Sequence, residues 1–118
     1  MRSASIAILS LAAAALGVPF EKRQTVLNGG LYYCTERNFT GICARTPPID
    51  DGCHNFDATF NDQLSSFRSE PDQSLSCLLW SDADCQGTNP GAWIVRGVDD
   101  LNDIDFDNIA SSYQCKNP

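Results

Sequence analysis

The sequence holds one histidine, no Cys-x-x-Cys pair and, beyond position 23, only five basic residues. The first two shortages argue against a zinc site, which draws on clustered Cys and His ligands. The third excludes nucleic acid as a partner. Residues 1–23 carry three basic groups and one acid, leaving five basic and fourteen acidic side chains, a net charge of −9. Such a field repels phosphates and anionic membranes and attracts cations. No segment sustains a helical period over three turns, so a helical bundle is excluded as well. A second long apolar run is also missing, which leaves no membrane span after the N-terminus.

The one apolar run, "IAILSLAAAALG" (residues 6–17), follows Arg2 and ends in small residues. It is shorter than the roughly 20 residues a bilayer demands. Charge, short apolar stretch and small residues predict a secretory signal peptide over 1–17. "VPFEKR" (18–23) then reads as a short propeptide. Its closing Lys22-Arg23 resembles the dibasic processing site of fungal-type secretory proteases. One extracellular domain is predicted over 24–118.

A domain of that size has a thin core, and small secreted domains make up the deficit with disulfides. All six cysteines lie in the predicted mature part: Cys34, Cys43, Cys53, Cys77, Cys85 and Cys115. They predict three bridges in any of fifteen connectivities. "NFT" at 38–40 is an N-glycosylation sequon at Asn38, which predicts an exposed position there.

"GLYYCTE", "GICART", "LSCLLW" and "AWIVRG" are short β-branched, aromatic and apolar runs bounded by Gly, Pro, Asn and Asp. They predict an all-β domain, with room for one short helical turn between Asp99 and Phe106. A repeat accompanies them. "NDQLSS" (61–66) and "DNIASS" (107–112) share one grammar: two Asn/Asp residues, two free positions, then Ser-Ser. Phe60 and Phe106 precede them, and at the same spacing upstream "CTERNFTG" (34–41) aligns with "WSDADCQG" (80–87). Each half therefore reads as a four-strand Greek-key unit, about 30–70 and about 74–115. The two units are expected to bury their apolar faces on each other.

These residues resemble the βγ-crystallins, whose hairpin motif is an aromatic, four free residues, an aromatic, one residue and Gly. The calcium-binding microbial members add the Asn/Asp-Asn/Asp-x-x-Ser/Thr-Ser loop, which both hexapeptides fit. Phe39 and Gly41 match the hairpin, with Cys34 in place of the first aromatic; Trp80 and Gly87 match, with Cys85 in place of the second. The resemblance implies a disulfide-stabilised sandwich of two Greek keys and two calcium sites, and the loop chemistry agrees with it. Calcium takes about six to eight oxygen ligands, which Asn, Asp, Ser and turn carbonyls supply. By the resemblance, one site uses Ser65, the Gln63 carbonyl and Asn61 or Asp62. The other uses Ser111, the Ile109 carbonyl and Asp107 or Asn108. Carbonyls from the partner unit's hairpin, near Arg37 and Ala83, would complete them, while Ser66 and Ser112 bond over the hairpins. The bland alternative is turn chemistry alone, since Asn, Asp and Ser make turns and caps without a metal.

No catalytic site is expected. His54 has no Ser or Cys partner placed as a nucleophile and reads as a surface histidine. "DDLNDIDFD" (99–107) reads as a solvated acidic loop rather than a glycosidase pair, and Trp80 and Trp93 as core or hairpin residues. The role is then a calcium-stabilised structural or cell-surface protein. The alternative is a secreted interaction module (killer-toxin-like, protease-inhibitor-like or a host-directed effector) that keeps the fold with weak or no calcium binding. Its protein or cell-wall partner would meet "CARTPPIDDGC" (43–53), the best candidate loop.

The resemblance also predicts one disulfide. Its structural serine places Ser112 opposite Trp80, and paired residues in an antiparallel ladder keep a constant sum of numbers. That register sets Cys77 opposite Cys115. Cys43–Cys53 and Cys34–Cys85 complete the expected set.

Overall fold

The computed structural model describes residues 25–118; the predicted leader and dibasic segment lie outside the described residues. Eight strands run through it: β1 (Gly30–Glu36), β2 (Thr40–Arg45), β3 (Cys53–Asn55), β4 (Ser66–Glu70), β5 (Ser76–Trp80), β6 (Ile94–Val95), β7 (Gly97–Val98) and β8 (Ser112–Lys116). A 3-10 helix at Leu101–Ile104 fills the predicted helical turn, with Asp100 capping it by accepting the Asn102 N–H. All eight strands are antiparallel, in two four-stranded sheets ordered β2-β1-β4-β7 and β3-β8-β5-β6.

Each half does supply four strands, but the halves do not form separate units laid face to face. β3 of the first half pairs with β8, and β7 of the second half pairs with β4. The third strand of each Greek key has crossed to the other sheet. These crossing strands are three and two residues long, too short to carry an alternation pattern that would reveal their partner.

The core sits between the sheets. Leu31, Phe67, Leu79, Cys77, Tyr113 and Cys115 reach it from strands, and Phe56, Phe60, Leu64, Leu101 and Phe106 from the loops. Phe67 stacks on Tyr33 with ring centroids 6.4 Å apart and meets Tyr113 edge-on at 6.3 Å. Tyr33 presents its ring to Phe56 and Phe60 in edge-on contacts at 5.1 and 4.9 Å, an arrangement favoured by the ring quadrupoles. Burial pushes the pKa of both Tyr33 and Tyr113 above the usual tyrosine value, because the phenolate would lose its hydration there. On the outer face of the first sheet, Glu70 bridges Arg45 and Arg68 at 2.9 and 3.0 Å. Hydrogen bonds from Arg45 and then Arg68 hold its carboxyl below the usual range.

Three disulfides close the structure: Cys34–Cys43, Cys53–Cys85 and Cys77–Cys115. Cys77 and Cys115 face each other in the β5–β8 ladder, as Trp80 and Ser112 do. The expected Cys43–Cys53 and Cys34–Cys85 bridges do not form. Cys34 and Cys43 are direct cross-strand neighbours of the β1–β2 hairpin, so the shorter reach wins. Cys53 sits on the exchanged strand β3, which carries it beside Cys85 in the turn after β5.

The predicted interaction loop is correspondingly not a closed disulfide ring. It is tied along the N-terminal segment: Leu27 N–H donates to the Ile49 carbonyl, Ile49 N–H to Gly29 and Asp51 N–H to Thr25. Ile49 is buried. His54 is no plain surface residue either; it is partly buried, stacks on Tyr113 at 5.2 Å and pairs with Asp50 at 2.9 Å.

Candidate metal centre

The sequence repeat reappears as a repeat of backbone conformation. In the first hairpin Asn38 and Phe39 have φ of 58°, and Gly41 has 82°; in the second, Asp84 and Cys85 have 62° and 55°, and Gly87 has 88°. A Cβ on Gly41 would meet the Thr35 hydroxyl at 2.6 Å, so glycine answers both the left-handed backbone and the tight fold. Within the hexapeptides, the second residue of each, Asp62 and Asn108, has φ of 58°. Asn and Asp tolerate this region best among residues with side chains, a reason for that position's identity that involves no metal.

The final serine of each hexapeptide is fully buried and pins a hairpin. Ser66 Oγ accepts from Phe39 N–H at 3.1 Å and donates to the Glu36 carbonyl at 2.7 Å. Ser112 Oγ repeats this, accepting from Cys85 N–H at 2.9 Å and donating to the Asp82 carbonyl at 2.6 Å. The two aromatic positions that cysteine occupies are both halves of a disulfide, so Cys34 and Cys85 hold their hairpins by a covalent link where a ring would pack. Removing the serine hydroxyl strands two buried backbone groups. Ser66→Ala and Ser112→Ala are each expected to cost about 1–3 kcal/mol, read from denaturant unfolding in chelator. An unchanged midpoint for either would contradict this role.

The fifth positions, Ser65 and Ser111, are also buried, yet their surroundings differ from the sequence expectation. Read along the chain, each serine belongs with the acids of its own hexapeptide. The structure groups each with the other hexapeptide. Ser111 Oγ donates to Asp62 Oδ1 at 3.1 Å. Ser65 lines a cavity of about 450 Å³ with Glu36, Arg37, Asp100, Asn102 and Asp107. The loops are laced to each other, which explains the exchange: Asp62 N–H donates to the Ala110 carbonyl and Asn108 N–H to the Leu64 carbonyl. Two hexapeptides crossing in this way bring the acids of one to the serine of the other. Asn61, Gln63 and Asn108 are exposed, while Ile109 packs on the core. Arg37 at the Ser65 cavity comes from the same unit's hairpin rather than the partner unit's, and Ala83 occupies the same place in the second turn.

Three residues at the Ser65 cavity escaped the sequence reading: Glu36, Asp100 and Asn102. The last two belong to the run taken as a solvated acidic loop, which is in fact anchored. Asp99 accepts Asn38 N–H, and Leu101 N–H donates to the Ser65 carbonyl. The repeat held the clue, since Phe56 N–H donates to the Ser111 carbonyl in the same manner.

Whether these residues suit a cation is decided by one atom. Asp107 Oδ1 is buried and has no hydrogen-bond partner among the described residues. A buried carboxylate oxygen left this way is costly unless something positive meets it. Among the described residues no three His, Cys, Asp or Glu side chains gather closely enough to hold a metal alone. The donor set would be hydroxyl, carboxylate and carbonyl oxygen, which suits a hard cation such as calcium and not zinc.

No family model matches the chain, and no curated protein matches its sequence. Solved structures do match. A domain of the Abundant Perithecial Protein from Neurospora crassa, in its Ca2+-bound form, is 15% identical with a TM-score of 0.57, over 80% of this chain and 96% of that one. A βγ-crystallin domain from Flavobacterium johnsoniae is 20% identical with a TM-score of 0.57, over 74% and 93%. An archaeal βγ-crystallin gives 15% and 0.58, over 73% and 95%. Identities this low speak for backbone architecture alone, and each of these domains is matched over almost its full length; the fold of this chain is that of the βγ-crystallins.

Proposed function

We propose that this is a secreted, non-catalytic domain that binds calcium as a structural stabiliser. The observation that carries the reading is the unpartnered Asp107 Oδ1 beside Ser65, in a cavity whose other walls are Glu36, Asp100 and the hairpin residue Arg37. Calcium there would supply the positive charge that the carboxylate lacks. The residues of the chain do the rest: Ser65 offers its hydroxyl, Asp107 its carboxylate, and the hairpin backbone its carbonyls. Ser111 and Asp62, with the hairpin around Ala83, form the corresponding second set. The Ca2+-bound state of the Neurospora crassa domain supports the same reading.

Secretion through a leader at 1–17 and a propeptide at 18–23 belongs to this proposal. Three disulfides and no free cysteine among the described residues fit an oxidising compartment. Asn38 is exposed at a hairpin tip, where a glycan would stand clear of the fold.

Calcium that binds the native state alone stabilises it by mass action, roughly 2.7 kcal/mol per site at 100 times the dissociation constant. For a domain of this size, each kcal/mol raises the melting temperature by about 4–8 °C. Thermal unfolding in millimolar calcium against chelator should therefore differ by about 10 °C or more. Identical melting curves would leave only turn chemistry in the hexapeptides.

A further inference from the structure

The two hexapeptides are near copies in sequence, but their serines stand differently toward a cation. The Ser111 hydroxyl is engaged, donating to Asp62 Oδ1 at 3.1 Å. Part of the charge on that carboxylate is thereby already met. The Ser65 hydroxyl has no partner among the described residues, and neither has Asp107 Oδ1. An ion at that site displaces nothing.

The hairpins differ in what ties them. The second is held by Cys53–Cys85 and by a two-point bond to β3, in which Asn55 Nδ2 donates to Asp84 Oδ1 and Asp84 N–H donates to Asn55 Oδ1. The first is closed on itself by Cys34–Cys43. The first hairpin is joined across the loop by the Asn38 N–H bond to the Asp99 carbonyl. Its cavity also carries three carboxylates, Glu36, Asp100 and Asp107, against the one cation of Arg37.

Resting on the calcium reading above, we infer that the two sites are unequal and fill in order: the Ser65–Asp107 site first and tightly, the Ser111–Asp62 site second and weakly. Leaving a buried charged acceptor unpartnered, as Asp107 Oδ1 is, costs about 1.5 kcal/mol or more, and an ion that relieves it gains about tenfold or more in dissociation constant. The ion at the first site meets a carboxylate oxygen that nothing else partners, and the second answers only to higher calcium.

Calorimetric titration of the protein with calcium chloride tests this, alongside Ser65→Ala and Ser111→Ala. The wild type should give two steps separated by about tenfold or more, or a single step when the second lies beyond the range. Ser65→Ala should lose the tight step, and Ser111→Ala should keep it. Amide chemical shifts of the wild type at less than one equivalent of calcium provide a reading independent of any variant's folding. Ser65 and Asp107 should move before Ser111 and Asp62. Two equal steps, or loss of the tight step in Ser111→Ala, or Ser111 moving first, would overturn the ordering while leaving calcium binding in place. Absence of any heat and any shift in the wild type would instead overturn the calcium reading itself, and the ordering with it.

Discussion

Replacing Cys77 and Cys115 together by alanine should lower the unfolding free energy by about 4 kcal/mol, the largest loss expected from any one disulfide. The bridge closes a sequence separation of 38 residues, and constraint of the unfolded chain grows with the logarithm of that length. Both sulfurs also lie in the core, with each residue 1% exposed, so their removal takes packing as well as a tether. The same change at Cys34 and Cys43, separated by 9 residues, should cost about 2.5 kcal/mol. A domain this small has a total stability of about 5–15 kcal/mol, so the first variant stands near the limit of folding at 37 °C. Guanidinium unfolding of both double variants gives the comparison. A larger loss from the short loop than from the long one would contradict the account.

Phe67→Ala is expected to cost about 3–5 kcal/mol, the range for emptying a buried aromatic position. Phe67 lies on β4, inside its sheet between Tyr33 on β1 and Val98 on β7. Its ring also meets Tyr113 of the opposite sheet. No neighbour can collapse into the space without leaving its own strand register, so the cavity term should be felt in full. The residue touches neither candidate cation site, and calcium should therefore raise the stability of this variant and of the wild type by the same amount. A loss below about 1 kcal/mol would mean that the sheets close over the gap.

Much of this architecture is legible before any coordinates, and the boundary of legibility has a physical cause. β1 and β5 announce themselves by composition, and the hexapeptides announce the repeat. A ladder with a constant residue sum places Cys77 opposite Cys115 because both lie in regular strand, where register propagates from one known pair. The other cysteines lie where that rule ends. Cys53 is on a three-residue strand after a long connection, and Cys85 is in a turn. Nothing in their local sequence says which sheet receives β3. The candidate cation sites show the same boundary. A hexapeptide read along the chain suggests that its six residues act together, whereas Ser65 shares its cavity with Asp107 and Ser111 bonds to Asp62. The crossing of the loops is a property of two segments at once. Asp100 is not legible as a site residue because an acidic run looks solvated until the backbone bond from Leu101 to Ser65 is known.

The exchange of β3 and β7 has a consequence for what half of this protein is. Split between β4 and β5, the first piece would hold three strands of one sheet and a fourth that belongs to its missing companion. Such a piece is no smaller version of the whole, because its sheet lacks the strand that the other half supplies. In the full chain each half closes the sheet of the other. The two halves are nevertheless not identical. One hairpin is stitched to its own neighbouring strand and the other to the borrowed one, and one serine is left open where its twin is engaged.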